Sequence, residues 1–519
     1  MAIVAAALAS AGWAQADFRF AEATIDDLQA QMASGALTAH DLTAAYLARI
    51  AEIDRAGPRL NAIIELNPDA LAIADQLDAE RRGGHVRGPL HGIPILIKDN
   101  IATADGMQTT AGSLALVGAK PPRDAGLVVR LRAAGAVILG KTNLSEWANF
   151  RGLRSVSGWS GRGGQTHNPY VLDRSPLGSS SGSAVAVAAN LCAAAVGTET
   201  SGSVVAPSSA CGVVGFKPTV GLVSRAGVIP IAASYDTAGP ITRTVRDAQI
   251  MLAALAGADE LDSATRQLPP QWLSTFSRPI PAAALRGARI GIIRDANPRT
   301  ETKALLDAAS QTLSAAGAIP VEIGPFPTNP REAAGEVMLY ELKAGIDAYL
   351  ATLGPSAPMK TLADLINFNE EHWAQEMPLF GQQHFTDAEA KGPLSDPAYE
   401  AARAKAWATA RDQGIDRLMN EHHLDALVAL TNGPAGLITA LPGGDPVFGA
   451  KTFGSAAGPA AAAGYPSVTV PAGELKGLPV GVLFYGRPWT EAQLIAYAAD
   501  FEAKTHARQP PRYLATIIP

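Results

Sequence analysis

The chain has 519 residues, 47% of them hydrophobic and 17% charged, with 50 glycines and 37 prolines. Those proportions exclude a disordered or fibrous chain and describe a large, well-buried globular protein rich in turns. The net charge of −6 has no basic concentration, which argues against nucleic acid as a partner. Cys192 and Cys211 sit in apolar surroundings and read as buried thiols rather than as a disulfide or a zinc site.

Residues 1–16, MAIVAAALASAGWAQA, form a short apolar run ending in the small-x-small pattern Ala14-Gln15-Ala16 ahead of Asp17. This is the pattern of a signal peptide, and it places the mature chain, 17–519, in the periplasm or outside the cell. No Lys or Arg precedes the run; an ordinary buried N-terminal helix is the alternative. The run is too short to cross a bilayer, and no later segment reaches about 18 uninterrupted apolar residues, so no membrane span is expected.

Residues 24–82 read as helices. Thr38 can cap a helix that carries Leu42, Tyr46, Ile50 and Ile53 on one face, closed by Gly57-Pro58. Asn67-Pro68 starts another, with Pro68 in its first turn. Short apolar runs then alternate with helical stretches: Ile93–Ile97, Ala136–Leu139, Leu191–Thr198, Ala288–Ile293 and Leu427–Leu430. This alternation predicts an α/β layered fold around a buried sheet. The Pro-rich stretch at 257–287 either separates two domains or joins two parts of one sheet. Residues 330–420 are helical in pattern and more charged, which suits a peripheral insertion.

The most unusual segment is 175–220. A small-residue loop, Gly178-Ser-Ser-Ser-Gly182, runs into an Ala/Val-rich helix, a buried strand and a second loop, Gly197-Thr-Glu-Thr-Ser-Gly-Ser203. Small residues let backbones approach closely and turn N–H groups toward one point, as an oxyanion site requires. Tight packing on glycine and alanine is the plainer use. A phosphate loop would need G-K-[ST], which is absent.

Gly178–Gly182 also fits G-x-S-x-G, which would make Ser180 a hydrolase elbow nucleophile. That motif requires a strand directly ahead, whereas residues 167–176 hold two prolines and turn residues. The downstream histidines sit in no small-residue loop. A serine nucleophile without histidine needs another base, and Lys98, closing the apolar run Ile93–Ile97, is the candidate. A solvated strand-end lysine is the alternative; burial lowering its pKa by about two to three units would make it a usable base near neutral pH.

Together the Lys98 segment, the serine-rich loop, GTETSGS, CGVVGFKPT and DTAGPITR resemble the amidase signature family. Gly140-Lys-Thr-Asn143, Ala463–Pro471 and Gly477–Gly481 extend the resemblance over about residues 24–500. Within the family, the GSSSGSAVAVAANL run and the FRG…SGWS…RGGQT-x-NPY segment look most like bacterial peptide amidases, which hydrolyse C-terminal peptide amides.

The resemblance implies one large α/β/α layered domain with a mixed central sheet, no cofactor and no metal. It also implies a Ser–cis-Ser–Lys triad of Ser203, Ser179 and Lys98. Keeping the family's spacing of 24 residues between bridging serine and nucleophile selects Ser179 rather than Ser180. Backbone N–H groups of Thr200, Ser201, Gly202 and Ser203 are implied as the oxyanion hole. Glu199, usually acidic in relatives, reads as orienting the loop ahead of proton transfer. Ser155, Ser157 and Trp159 are candidates to line the substrate pocket, with core packing an equal use for the tryptophan.

Many relatives carry arginine two residues after the nucleophile, including the subunit that supplies ammonia for transfer-RNA amidation; this chain has Val205. That departure argues against free glutamine as substrate. The expectation is therefore a monomeric serine amidase releasing ammonia from peptide carboxamides through an acyl-enzyme. Two alternatives stay open: a family member acting on fatty-acid, aryl or small aliphatic amides, and a non-catalytic binding or assembly protein that retains the fold.

Overall fold

The apolar run that ends in Lys98 lies deep inside an 11-stranded mixed sheet. The protein is described from a computed structural model covering residues 18–517, apart from 277, 297–298, 356, 440–444 and 449–454. The expected leader at 1–16 lies outside the described residues.

In chain order the strands are β1 (Ile63–Leu66), β2 (Pro94–Lys98), β3 (Val137–Thr142), β4 (Trp159–Ser160), β5 (Gly164–Gln165), β6 (Ala194–Glu199) and β7 (Val214–Lys217). They continue with β8 (Thr237–Thr242), β9 (Arg289–Ile293), β10 (Ile319–Gly324), β11 (Ala426–Leu430), β12 (Ser467–Leu475) and β13 (Leu478–Tyr485). The sheet order is β1-β3-β2-β6-β8-β7-β12-β13-β11-β9-β10, and β4 and β5 form a separate ribbon. Strand β2 runs parallel to both β3 and β6, while β6 and β8 are antiparallel.

Alternate residues of the central strands enter different cores. Ala426 and Val428 of β11, with Val482 and Phe484 of β13, pack into one apolar cluster. Leu427 and Ala429, with Leu483 and Tyr485, pack into a second. A period of two feeding two clusters means that the sheet is covered on both faces. The first cluster takes helices α1 (Ile25–Ala33), α2 (Ala39–Arg49) and the C-terminal helix Glu491–Thr505. The second takes the helices between β10 and β11, among them Arg331–Thr352 and Pro397–Ala410.

Thr38 caps α2 by accepting the Asp41 N–H at 3.0 Å, and Leu42, Tyr46, Ile50 and Ile53 are all fully buried. Helix α3 (Ala70–Arg82) starts later than the sequence suggests, so Pro68 stands ahead of it. The Asn67 side chain accepts the Asp69 N–H at 3.0 Å, and this turn takes the place of the first helical turn. The Pro-rich stretch joins two parts of one sheet. Trp272 and Phe276 within it are buried, and the Trp272 indole N–H donates to Trp489 O at 3.0 Å. Cys192 and Cys211 are free, buried thiols.

Candidate active site

Lys98 closes β2, its neighbours Ile95, Leu96 and Ile97 fully buried, and is itself without solvent exposure. Its Nζ bonds Ser179 Oγ at 2.8 Å, Thr198 Oγ1 at 2.9 Å and the Thr198 carbonyl at 3.2 Å. Asn100 holds Thr198 Oγ1 from the other side at 3.0 Å. Burial pushes the ammonium down from its ordinary 10.5 to about 7, against the facing charges of Asp236 and Glu199, which hold it up. Lys98 is therefore a buried amine that exchanges its proton near neutrality, not a solvated strand end.

The second component is the loop ahead of helix α4 (Ser181–Ala188). Gly178 and Ser179 are joined by a cis peptide bond. A Cβ on Gly178 would collide with Ser145 Oγ, which would have to move to admit it. The Ser145 N–H donates to Ser179 O at 3.0 Å and fixes the loop from beyond the end of β3. Ser180 points elsewhere: its Oγ donates to the Thr198 carbonyl at 3.0 Å and accepts the Thr198 N–H at 3.2 Å. No strand directly precedes Gly178, so the elbow geometry is absent among the described residues. Ser181 Oγ donates to Leu177 O at 2.6 Å, within its own loop.

The third component is the turn from β6 into the short helix α5 (Val205–Ala210). One Glu199 carboxylate oxygen accepts the N–H groups of Val204 at 2.8 Å and Val205 at 3.1 Å. The side chain thus fastens the residues directly after Ser203. Gly202 takes φ 84°, the left-handed region that favours glycine. The Ser180 N–H donates to Ser203 O at 3.1 Å, which ties the two serine loops together. Ser203 is 8% exposed, and Ser201 is exposed. Among the described residues the N–H groups of Ser201, Gly202 and Ser203 meet no protein acceptor.

A cavity of about 750 Å³ opens beside Thr200 and Ser201, walled by Tyr235, Phe326, Met338 and Ala457, with Arg331 at its edge. Ser155, Ser157 and Trp159 are not among its lining residues. Ser155 Oγ donates to Gly152 O at 2.9 Å, and Ser157 Oγ accepts from Asn149 at 3.3 Å. Asn149 in turn reaches toward Gly178, so Ser157 stands one side chain away from the cis-serine loop. Trp159 is buried edge-on against Phe380 at 5.5 Å, beside the buried Arg151. The motifs contained further contributors that sequence reading passed over: Thr198, which holds Lys98, Asn100, which donates to the Thr198 hydroxyl, and Asp236, which accepts from the Thr200 hydroxyl.

The amidase family model matches residues 41–495, so the chain belongs to the amidase family. A peptide amidase from Stenotrophomonas maltophilia superimposes with a TM-score of 0.90 at 51% identity, over 95% of this chain and 99% of that one. A probable amidase of Arabidopsis thaliana is 40% identical over 96% of this chain and 93% of its own length. A glutamyl-tRNA(Gln) amidotransferase chain of Thermosynechococcus vestitus is 35% identical over 94% of this chain and 99% of its own length. The protein is thus an amide-hydrolysing member of the family, with the family's single large α/β domain.

Proposed function

We propose that the protein is a serine amidase that releases ammonia from the C-terminal carboxamides of peptides, with Ser203 as nucleophile, Ser179 as proton relay and Lys98 as base. The observation that carries this reading is the 2.8 Å contact between a fully buried Lys98 and Ser179 Oγ. A neutral amine has two N–H bonds, which the Thr198 carbonyl and hydroxyl can take, and its lone pair then faces Ser179. Lys98 accepts the Ser179 proton as Ser179 accepts that of Ser203, and Ser203 Oγ bonds to the amide carbon. The oxyanion meets the N–H groups of residues 200–203. Ser179 then delivers a proton to the leaving nitrogen, Lys98 reprotonates Ser179, and the C–N bond breaks to release ammonia. Water enters along the same relay and frees the carboxylate and Ser203.

The site's chemistry and the structural likeness to peptide amidase support this substrate class. Val205 is buried in the same apolar cluster as Tyr235 and Ala457, so this position offers a substrate carboxylate no charge. The cavity walls of Tyr235, Phe326 and Met338 suit apolar peptide side chains. The test is ammonia release from blocked dipeptide amides, a fatty amide, an anilide and glutamine. The peptide amides should exceed the others in kcat/KM by at least about tenfold, a difference of about 1.4 kcal/mol in transition-state binding. Equal rates across the panel would defeat the substrate assignment. Ammonia release undiminished in Ser203→Ala would defeat the assignment as a serine amidase.

A further inference from the structure

The antiparallel register of β6 and β8 pairs Glu199 with Thr237, so the next residues along each strand, Thr200 and Asp236, face one another where the ladder ends. There the Thr200 hydroxyl donates to Asp236 Oδ1 at 2.5 Å. The other carboxylate oxygen accepts the N–H groups of Ile231 at 2.8 Å and Ala232 at 2.9 Å. These bonds fix the carboxylate from its own loop and leave one oxygen to hold the turn that carries Ser203. A small cavity of about 10 Å³ lies between Asp236, Thr200, Thr198 and Asn100. Thr198 holds Lys98 Nζ through its hydroxyl, and Asn100 holds that hydroxyl in turn.

The charges around this point are few. Glu199 and Asp236 face Lys98; Glu199 is engaged with the amides of Val204 and Val205 and also faces Lys217. Arg225 faces Asp236, but its guanidinium bonds Asp262 and the Ala233 carbonyl. Asp236 therefore touches the catalytic apparatus on two sides: by a hydrogen bond to the anion-binding turn and by its charge toward the base.

We propose that Asp236 is a positioning residue for the reaction, fixing the turn that carries Ser203 through the Thr200 hydroxyl and setting the charge that Lys98 meets. The inference rests on the serine-amidase reading above. Thr200→Val removes the hydroxyl and keeps the shape; Thr200→Ser restores the donor. Asp236→Asn removes the charge and keeps the size.

With a blocked dipeptide amide as probe and the full chain throughout, Thr200→Val should lower kcat about tenfold or more with little change in KM, and Thr200→Ser should recover most of it. Asp236→Asn should lower kcat and also move the acid limb of the kcat/KM–pH profile to lower pH, because Lys98 loses a facing negative charge. Thr200→Val should leave that limb in place. Wild-type kcat in Thr200→Val, or an unmoved limb in Asp236→Asn, would overturn the proposal. If Asp236→Asn does not fold, the Thr200 pair decides alone. Ser203→Ala, run alongside, separates the two readings: persistent ammonia release there defeats the serine-amidase reading itself.

Discussion

Lys98 Nζ and Ser179 Oγ stand 2.8 Å apart, although 81 residues separate them in the chain. The contact exists because β2 and β6 are parallel neighbours that carry Lys98 and Thr198 to the same edge of the sheet, and Ser180, bonded to the Thr198 N–H and carbonyl, holds the adjoining Ser179 there. In open α/β sheets that edge, beyond the carboxyl ends of parallel strands, is where ligands are handled.

The two adjacent serines should separate cleanly. In the proposed mechanism Ser179 relays protons between Lys98 and Ser203, so Ser179→Ala should lower kcat by at least about a hundredfold. Ser180→Ala removes a hydroxyl that bridges the Thr198 N–H and carbonyl. It should cost about 1–2 kcal/mol of stability, read as a lowered denaturant midpoint, with a much smaller loss of kcat than Ser179→Ala.

Activity should depend on the protonation of Lys98. In the proposed mechanism the neutral amine is the reactive form, so kcat/KM should rise with pH through an inflection near 7, where burial places its pKa. A profile flat from about pH 5 to 9 would contradict the assignment of Lys98 as base.

The same burial has a stability cost of opposite sense. The folded pKa of about 7 lies below the ordinary 10.5, so between those values the unfolded chain binds more protons than the folded one. Stability from this group therefore rises with pH across that window and is lowest at and below about pH 7. Lys98→Met should abolish activity yet stabilise the fold at neutral pH by an amount on the order of a few kcal/mol, read as a raised thermal midpoint, and that gain should shrink toward about pH 10.

Glu199 should behave as a fastener of the turn. Its bonds are to the Val204 and Val205 N–H groups, which a glutamine carbonyl can still accept. Glu199→Gln should keep most of the wild-type kcat, while Glu199→Ala should lose both activity and about 1–3 kcal/mol of stability. Equal losses in the two variants would point to proton transfer by the carboxylate instead.

Much of this was legible in sequence because it was local. The run Ile93–Ile97 ending in a lysine marked a buried strand with an amine at its end. The resemblance, through the family's spacing to Ser203, implied Ser179 rather than Ser180; in the fold Gly197 leaves room for Ser180 Oγ, since a Cβ there would lie 2.6 Å from it. Ser180 is thus spent on packing against β6.

What escaped the sequence was set by strand pairing. Strand β8 is not among the apolar runs read from the sequence; it contains Gly239-Pro240, residue types that are rare inside strands, yet both pair with β6 in the sheet. Gly239 is required there because a Cβ would collide with the Phe216 carbonyl oxygen. Missing β8 meant missing its neighbour Asp236, which reaches Thr200 only through that register. The pocket candidates illustrate the same limit. Trp159 had equal claims as wall and core, and its edge-on contact with Phe380 depends on a distant segment of the chain, between β10 and β11.

The most direct test is to quench the wild-type protein during turnover of a blocked dipeptide amide and map the acyl group by peptide mass spectrometry. The acyl group should be found on Ser203, and Ser203→Ala should give neither adduct nor ammonia. An acyl group on Ser179 or Ser180, or undiminished ammonia release by Ser203→Ala, would contradict the assignment of Ser203 as nucleophile.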